Sequence, residues 1–442
     1  MKKLMFILLF VFFSMSHNLY SYPNNFQQIM TGSRIAAMGG AACALGGGGE
    51  TAFFNPAGTV FTKKDGISLS INHYGFIYLF ESERDKAGDS LIKDLDHSSG
   101  LAIIPAVSTV TIILDKNKAR PQFFFTFGIF LPSKTDIEGN KNKSNSSYDE
   151  YVKSWLINYI YHIYLNFAYR VNDNISIGIA VVGSYAKLFQ TVELYRYDIA
   201  TPANTTDISE SYNFLTLGLG LSLGALFTVG DFRFGINIKT KKLRIYSESE
   251  YTYIDSGQSP VDFDDKIVNY QRPWEFYFGV VYEFIKNRFL ISVDFKLYVG
   301  ETQNVIDSSD FSLTFKRNTT WNINAGFEYK FDQKWSVRAG FFTDNSATPS
   351  LESGNSNALR LTKVNRYGIT LGGGFVGKNT KLDIAVTYIW GHGQMKIQNI
   401  SSPGNYGVSD VKSREILITV GSAYWFGSDN KSKTNVKKNR RK

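Results

Sequence analysis

The stretch that decides the fold is WLINYIYHIYLNFAYR, residues 155–170. Every odd position holds an apolar or aromatic side chain, whereas the even positions include Asn158, His162 and Asn166. Successive side chains of a β-strand point to opposite faces, so this alternation predicts a strand with one apolar face and one partly polar face. A β-sandwich can alternate in the same way, but its strands are usually shorter than this one, which can cross a bilayer at a tilt. We therefore interpret it as a membrane-spanning strand.

The same alternation recurs along the chain, for example in residues 215–227, where glycine and serine face away from a row of leucines. Long polar connections take turns with tight ones such as Asn172-Asp173, which is typical of outer-membrane barrels with long external loops and short periplasmic turns. The pattern predicts an all-β protein, a 14-stranded antiparallel transmembrane β-barrel that spans residues 66–426. The candidate strands are 66–82, 100–114, 121–132, 153–171, 174–192, 211–228, 232–251, 270–285, 288–304, 318–331, 334–345, 363–377, 380–394 and 412–426.

The N-terminal sequence indicates where in the cell the protein is located. Lys2 and Lys3 precede an apolar block at residues 4–13, and Ser21 offers a small residue for cleavage, as in a secretory signal peptide of residues 1–21. No later run approaches the roughly 20 consecutive apolar residues of a transmembrane helix. Export together with the barrel pattern predicts a multi-pass protein of the outer membrane.

The net charge of +9 and the isoelectric point near 9.2 do not indicate a nucleic-acid-binding surface, because the charge is concentrated at the two ends of the chain. Residues 427–442 carry +6 and the signal peptide carries +2, so the rest of the chain is nearly neutral. We predict that residues 427–442 form a basic, disordered tail and that the protein has no nucleic-acid partner.

Between the signal peptide and the barrel lies a stretch of unusual composition, TGSRIAAMGGAACALGGGGETAFFNPAG, residues 31–58. Its glycines and alanines bury little apolar surface, and glycine loses much conformational entropy on ordering, so other elements must hold the stretch in place. A flexible linker is the alternative, but Phe53 and the rigid Asn55-Pro56 pair are unlike the composition of linkers. We predict that residues 22–65 form a plug inside the barrel.

Several charged residues fall on the inward-facing side of the predicted strands, where they avoid a cost of a few kcal/mol per charge in lipid. We interpret them as a self-paired network in the lumen that connects the barrel to the plug, with substrate contact as the alternative. Arg34 of the plug is a candidate partner for one of the carboxylates. The inward charges are Glu275, Glu283, Asp294, Lys296, Glu328, Arg338 and Asp383.

The sequence shows no constellation for catalysis or metal binding. The five histidines include no pair at metal-ligand spacing, and the lumen-facing His162 is expected to have a hydrogen-bonded structural role. The single cysteine, Cys43, excludes an intramolecular disulfide and is expected to be a buried thiol. The glycine run 46–49 lacks the Lys-Ser/Thr pair that completes a phosphate-binding loop. We therefore predict that the protein is not an enzyme and has no metal or cofactor.

The sequence GSRIAAMGGAACALGGGGETAFFNPAG resembles the N-terminal hatch of the FadL/TodX family, outer-membrane transporters for hydrophobic compounds. Asn55-Pro56-Ala57 matches the Asn-Pro-Ala motif of that family. FGIFLPSK, residues 127–134, is similar to the end of the family's third strand, and the strand pair at 319–349 is similar to a family hairpin. The resemblance covers nearly the whole mature chain.

This resemblance implies a hatch inside a fourteen-stranded barrel, ligand binding near the hatch, and sideways release through a gap at the third strand. Gly128 and Pro132 would suit such a distorted strand edge. The expected function is passive uptake of long-chain fatty acids or aromatic hydrocarbons, with fatty acids preferred, by a monomer in outer-membrane lipid. The candidate hatch residues are Arg34, Phe53, Phe54, Asn55, Pro56 and Ala57.

Two other functions remain open on the same scaffold. One is a binding or shuttle protein for secreted protein cargo, like the PorV component of type IX secretion. The other is a general porin, which would conduct ions without selectivity. Fatty-acid uptake, co-purification of secreted protein and nonspecific conductance would distinguish the three.

Overall fold

The structure is a computed structural model in which the described residues are 24–27, 30–81, 103–115, 118, 120–144, 148–199, 206–255, 261–264, 271–285, 288–307, 312–351, 354–355, 362–398 and 405–426. The predicted signal peptide and basic tail lie outside these residues, so both stay predictions. No helix in the described ranges is both long and apolar enough to span a membrane.

One large antiparallel sheet contains almost all the strands, and it closes because β1 pairs with β19 from Gly66–Trp425 to Glu81–Val411. The strands are β1 Gly66–Glu81, β2 Ile103–Ile113, β3 Phe123–Ser144, β4 Tyr148–Arg170, β5 Ile175–Asp198, β6 Thr206–Val229, β7 Phe232–Lys239, β8 Leu243–Asp255, β9 Val261–Asp264, β10 Glu275–Ile285, β11 Phe289–Tyr298, β12 Glu301–Asp307, β13 Ser312–Arg317, β14 Thr320–Lys330, β15 Trp335–Asp344, β16 Gly354–Asn355, β17 Thr362–Val376, β18 Thr380–Gln398 and β19 Asn405–Trp425.

The wall of the closed sheet has fourteen strand positions, which confirms the predicted count. β7 and β8 share one position, since β6 pairs with β7 along residues 222–229 and with β8 along residues 208–219. The other positions are β1 to β6, β10, β11, β14, β15 and β17 to β19. The protein is therefore a closed 14-stranded antiparallel barrel, as the alternation predicted.

The two faces of the wall differ as the sequence pattern requires. On β4 the even residues from Asn158 to Ala168 are buried, whereas the odd residues Ile163, Leu165 and Phe167 are exposed. Outward aromatic residues lie at both ends of the short strands, which is typical of the two membrane interfaces of a barrel. Examples are Trp335 and Phe331 beside the turn at Asp332, and Trp321 and Trp274 at the opposite end.

Tight turns join the strands at one end of the barrel. The side chain of Asn172 accepts hydrogen bonds from the backbone N–H groups of Asn174 and Ile175, and Asp332 accepts in the same way from Lys334 and Trp335. Short polar side chains at such positions mimic a backbone turn and fix the register of the hairpin. These turns occur where the sequence predicted tight connections.

Two expectations about the strands were wrong. β3 was predicted to end at residue 132 but continues to Ser144, and β4, β5 and β6 also extend into segments expected to be loops. The predicted strand 232–251 is interrupted at residues 240–242, where Thr240 exchanges two 2.9 Å hydrogen bonds with the backbone of Leu221. The alternation of hydropathy disappears where strands leave the bilayer, because neither face then contacts lipid.

Candidate functional site

Residues 30–61, called the hatch segment below, lie inside the barrel. They form α1 Ser33–Ala37, α2 Thr51–Phe54 and a 3-10 helix Pro56–Phe61. α1 contacts β15 and β17 to β19, whereas the 3-10 helix contacts β3 to β6 across the lumen. All residues of the segment are buried except Arg34, Gly47, Gly48 and Phe61, which are half-buried. Apolar surface that the segment cannot bury by itself is therefore covered by the wall.

Inward-facing glycines of the wall let the hatch segment approach the strands at backbone distance. A Cβ atom at Gly178 would lie 2.5 Å from the backbone nitrogen of Ala57, and one at Gly326 would lie 2.5 Å from the carbonyl oxygen of Met38. Such distances are impossible for real side chains, so only glycine permits this contact. The glycines are Gly178, Gly224, Gly235, Gly279, Gly326, Gly340, Gly372 and Gly421, on eight different strands.

Asn55 joins three parts of the structure through one buried side chain. Its amide nitrogen donates to the carbonyl oxygens of Cys43 at 2.8 Å, Ala225 at 3.1 Å and Ile236 at 3.3 Å. Its side-chain oxygen accepts from the N–H of Ala57 at 3.0 Å and caps the 3-10 helix that begins at Pro56. Asn-Pro-Ala therefore fixes the hatch segment to β6 and β7, because the cap uses the oxygen and leaves the amide nitrogen free for the wall.

Asp294 and Lys296 of β11 hold the first half of the hatch segment. The carboxylate of Asp294 accepts from the backbone N–H groups of Ala42 at 2.7 Å and Cys43 at 2.8 Å. Nζ of Lys296 donates to the carbonyl oxygen of Gly40 at 2.9 Å. Both side chains are almost fully buried, so these contacts are made without competition from bulk water.

A second group of charges connects the hatch segment to β14, β15 and β18. Nε of Arg34 lies 2.8 Å from Oε2 of Glu328, and the same oxygen lies 3.0 Å from Nε of Arg338. Arg338 also pairs with Asp383 at 2.8 Å, and Asp383 pairs with Lys381 at 2.6 Å. The structure thus brings Glu328, Arg338 and Asp383 together with Arg34, whereas the predicted charges Asp294 and Lys296 form a separate group. Glu283 faces inward as well and lies 3.7 Å from Arg233.

Phe53 and Phe54 face different neighbours. The Phe53 ring packs against Phe130 of β3 and Tyr164 of β4, with ring centroids 5.4 Å and 5.8 Å away. Nζ of Lys239 lies 3.7 Å from the centre of the Phe53 ring, and Nζ of Lys296 lies 5.1 Å from the centre of the Phe54 ring. Buried cations therefore cover both rings from the wall side.

The region of Gly128 and Pro132 is irregular. Phe130 pairs with His162, but the next pair is Ser133 with Ile160, so β3 carries one extra residue at 131–132. A Cβ atom at Gly128 would lie 2.6 Å from the Phe130 ring, so glycine makes room for that ring. The register between β2 and β3 ends at Val107–Phe130 and does not continue past this pair among the described residues.

β2 carries a matching irregularity. Ser70 pairs with Val107, but Ile71 pairs with Pro105, so Ala106 is an extra residue on β2. Bulges bend a strand and interrupt pairing, and here they occur on both sides of the point where β2 and β3 separate. The described pairing of β2 with β3 therefore ends beside Phe130, which contacts the hatch residue Phe53.

On the far side of Phe53 from the tight turns, three cations face one carboxylate. Glu275 lies 2.7 Å from Nε of Arg272 and 3.6 Å from Nζ of Lys239. Nζ of Lys242 donates to the carbonyl oxygen of Thr240 at 2.9 Å and forms no ion pair with a described carboxylate. All four charged groups are buried. This cationic cluster, Lys239, Lys242, Arg272 and Glu275, carries a net positive charge in a buried part of the lumen.

Beyond this cluster the inner wall of β4 to β6 and β8 carries an apolar patch between buried polar residues such as Asn158, Gln190 and Ser249. Cross-strand neighbours such as Leu188 and Phe214, or Tyr212 and Tyr251, point into the lumen without joining the hydrophobic cluster around the hatch segment. This apolar patch comprises Ile160, Ala186, Leu188, Tyr212, Phe214 and Tyr251. The lumen thus offers a cationic end and an apolar side wall.

The model of a protein family described as "Outer membrane protein transport protein (OMPP1/FadL/TodX)" matches residues 26–426. The chain belongs to the FadL/TodX family. It is therefore an outer-membrane β-barrel, and its family is one of transport proteins rather than enzymes. A search of curated proteins found no match.

Solved structures with the same fold support the assignment. A Pseudomonas aeruginosa FadL homologue has 15% identity and a TM-score of 0.61, covering 93% of this chain and 100% of its own. The Pseudomonas putida toluene transporter TodX has 15% identity and a TM-score of 0.60, covering 91% and 100%. The Ralstonia pickettii toluene transporter TbuX has 15% identity and a TM-score of 0.57, covering 91% and 99%. At such identity the likeness shows the shared fold only.

Sequence reasoning about this FadL/TodX protein missed several residues of the lumen. Lys242 and Arg272 went unnoticed because they lie just outside strands, where alternation gives no direction. Lys239 lies on the inward side of β7 by alternation but was not singled out. The eight wall glycines were visible on the inward side, but nothing in the sequence showed that they face the hatch segment. In the described part of the chain, no cluster of His, Cys, Asp and Glu is placed to hold a metal ion.

The prediction for His162 was wrong in one respect. The imidazole lies inward and is fully buried, but neither ring nitrogen has a hydrogen-bond partner among the described residues. Its neighbours are aromatic rings, including Phe53 with a centroid distance of 6.1 Å. The expected structural hydrogen bond is absent because the cross-strand neighbour, Ser184, does not bond to it.

Proposed function

We propose that the protein is a passive channel for hydrophobic molecules and that its preferred ligands are long-chain fatty acids. The observation that carries this proposal is the pairing of the cationic cluster with the apolar patch in one lumen. A fatty acid anion matches both parts, since its carboxylate compensates buried positive charge and its chain covers the apolar wall. Each methylene buried from water contributes about 0.8 kcal/mol.

The direction of the ligand follows from this arrangement. The carboxylate lies toward the hatch segment, beside Lys239 and the Phe53 ring, which are 3.7 Å apart. The chain extends away from the tight turns along β5 and β6, past Leu188 and Phe214. A neutral aromatic hydrocarbon, the ligand named for the TodX and TbuX structures, would use the apolar patch but not the cations.

Release is proposed to occur sideways between β2 and β3. Phe53 packs on Phe130 beside the two bulges, so a shift of the hatch segment uncovers the point where the wall separates. Gly46, Gly47 and Gly48 all have positive φ angles, between 64° and 99°, in the turn that precedes α2. Glycine passes between such conformations at low cost, so this turn is the proposed hinge.

The test compares Lys242→Met with the wild type. Lys242 forms no ion pair with a described carboxylate, so its replacement removes positive charge without leaving a buried anion unpaired. We expect the affinity for oleate in nanodiscs to fall about tenfold, equivalent to about 1.4 kcal/mol, whereas the affinity for toluene stays unchanged. Lys334→Met, in an exposed turn at the other end of the barrel, is the matched control and should leave both affinities unchanged.

The outcomes separate the alternatives. Unchanged oleate affinity in Lys242→Met contradicts the placement of the carboxylate. Binding of toluene but not oleate by the wild type makes aromatic hydrocarbons the ligands and contradicts the preference proposed here. Nonspecific ion conductance of the wild type in a planar bilayer would identify a general porin instead.

A further inference from the structure

The lumen contains a row of buried polar side chains that lack hydrogen-bond partners. Both ring nitrogens of His162, the hydroxyl groups of Tyr164 and Ser184, and Oε1 of Gln271 have no partner in the part of the chain that the structure describes. The relative exposure of these four residues is at most 5%. Buried polar groups are normally satisfied, so several unsatisfied ones together point to a molecule that binds there.

The four residues are close together although they come from different parts of the sequence. His162 and Ser184 are direct cross-strand partners on β4 and β5, and Ser184 is the cross-strand partner of Gly218 on β6. A Cβ atom at Gly218 would lie 2.9 Å from Nε2 of Gln271, so the Gln271 amide packs directly on this glycine. Tyr164 follows two residues after His162 on the same inward face. We call these four residues the polar row.

The polar row adjoins the cationic cluster. The same Cβ position at Gly218 would lie 2.9 Å from Cβ of Lys242, so Gln271 and Lys242 share the space above this glycine. Arg272 follows Gln271 in the chain, and its guanidinium is committed to Glu275 and to the carbonyl oxygen of Phe26. A ligand whose carboxylate reaches Lys242 therefore places its next few carbon atoms beside the row.

The chemistry of the row is not that of a carboxylate site alone. Nε2 of Gln271 donates to the carbonyl oxygen of Thr216 at 3.4 Å, which leaves Oε1 as a free acceptor that needs a donor. A carboxylate provides acceptors only, and a saturated chain provides neither donors nor acceptors. A hydroxyl group donates and accepts, so it can satisfy Gln271 and also the hydroxyl of Ser184 or a nitrogen of His162.

We propose that the channel prefers long-chain acids with a hydroxyl group on the second or third carbon, bound with this hydroxyl on the polar row. This inference rests on the proposed function, since it places the carboxylate on the cationic cluster. Sites built to bond a ligand hydroxyl discriminate strongly against the analogue that lacks it, because their own polar groups then stay unpaired. The polar row thus discriminates between hydroxylated and unmodified fatty acids. The apolar patch alone does not make this distinction.

The experiment measures equilibrium binding of 3-hydroxyhexadecanoate, 16-hydroxyhexadecanoate and hexadecanoate to the full-length protein in nanodiscs, with empty nanodiscs as the background. The wild type should bind the 3-hydroxy acid about tenfold more tightly than hexadecanoate, whereas the 16-hydroxy acid should gain nothing. Ser184→Ala should bring the 3-hydroxy acid within about twofold of hexadecanoate and leave the affinity for hexadecanoate unchanged. Gln271→Leu should act in the same direction.

A matched control is Ser70→Ala on β1, four positions away in the wall. Its hydroxyl is also buried, inward and without a partner among the described residues, but it is not part of the row. This variant should keep the full preference for the 3-hydroxy acid. A loss of preference in Ser70→Ala as well would overturn the inference, because the effect would then not belong to the row.

The remaining outcomes distinguish failure of the hydroxyl site from failure of the proposed fatty-acid transport. Equal binding of hexadecanoate and the 3-hydroxy acid by the wild type overturns the polar row as a hydroxyl site and leaves fatty-acid transport intact. Equal loss of both ligands in Ser184→Ala shows a structural or water-binding role and also overturns it. Binding of none of the three acids by the wild type contradicts the proposed function itself.

Discussion

Glu328 connects the hatch segment to the barrel wall and has ion-pair partners in both. Its Oε2 accepts from Arg34 of the hatch segment and from Arg338 of β15, while Oε1 lies 3.3 Å from Lys330. Burial opposes the charge of Arg34, but the adjacent carboxylate of Glu328 raises the pKa of the guanidinium above its ordinary value. The Arg34–Glu328 pair therefore stays charged. It stabilises the hatch segment in its position inside the barrel, because the pair exists only while the segment is there.

Replacement of Arg34 by methionine should therefore loosen the hatch segment and spare the barrel. Glu328 keeps Arg338 and Lys330 as partners, so no buried charge is left alone. Loss of a charge-assisted hydrogen bond costs about 1.5–3 kcal/mol of hatch–wall interaction. We expect a rise in ion conductance across a planar bilayer with an unchanged heat-induced shift in electrophoretic mobility.

The matched control is Arg120→Met, which removes an exposed pair with Asp173 at the tight turns. Exposed pairs contribute little, so conductance should stay at the wild-type value. If Arg34→Met and the wild type conduct equally, the charge pair does not hold the hatch segment closed.

Inward charges were predictable from strand parity, but their partners were not. Alternation alone placed Asp294 and Lys296 inside, because a charge on the lipid face is costly. That Asp294 accepts from the N–H groups of Ala42 and Cys43 depends on where the hatch segment crosses β11. This crossing is set by close backbone contact at wall glycines such as Gly279, which leaves no periodic signal in the sequence.

At the scale of elements, β2 and β3 both carry irregularities at the same place in the wall. Each carries one extra residue, Ala106 on β2 and one at 131–132 on β3, and the register between them ends beside these bulges. Removing an extra residue restores continuous pairing, which straightens the strand. The two bulges therefore offer a direct test of the proposed lateral exit.

Deletion of Pro132 should close the exit. We expect fatty-acid uptake by cells to fall to the rate of cells that lack the protein, whereas oleate affinity of the purified variant stays at the wild-type value. Pro132→Ala keeps the extra residue and is the control, which should retain uptake. Normal uptake by the deletion variant would show that ligands do not leave between β2 and β3.

Elements were predicted best where lipid contacts them. The fourteen strand positions followed from alternation, since each strand has one face toward lipid and one toward the lumen. The interruption between β7 and β8 was missed although the sequence carries a sign of it, since the apolar positions change from even at residues 232–238 to odd at Leu243 and Ile245. The structure shows the break at Thr240, which hydrogen-bonds to Leu221. That interruption places Lys242 in the lumen, so the error concerned a residue of the candidate site.

In the whole molecule, the hatch segment is attached unevenly. Toward β6, β7, β11 and β14 it is held through Asn55, Asp294 and Arg34 by hydrogen bonds to or from the wall. Toward β1 and β2 the described residues of the segment make one side-chain hydrogen bond, at 3.2 Å from the Ser68 hydroxyl to the Glu50 carboxylate, beside apolar contacts with Val107 and Ile113. A shift of the hatch segment therefore starts most easily on the side of β1 and β2, which includes one edge of the proposed exit.

Such a shift can be followed through Cys43, the only cysteine of the chain. Burial raises the pKa of its thiol well above the ordinary value, with Asp294 adding to the rise, so the reactive thiolate is scarce while the hatch segment is seated. Maleimide labelling of the wild type in membranes should be negligible and should increase when oleate is added.

Asn55→Ala removes the hydrogen bond to the Cys43 carbonyl and two bonds to the wall, so its Cys43 should be labelled without oleate. Asn345→Ala, which removes a side-chain hydrogen bond to Trp321 near the other end of the barrel, should label like the wild type. Labelling that oleate and Asn55→Ala both leave unchanged would mean that transport proceeds around a fixed hatch segment.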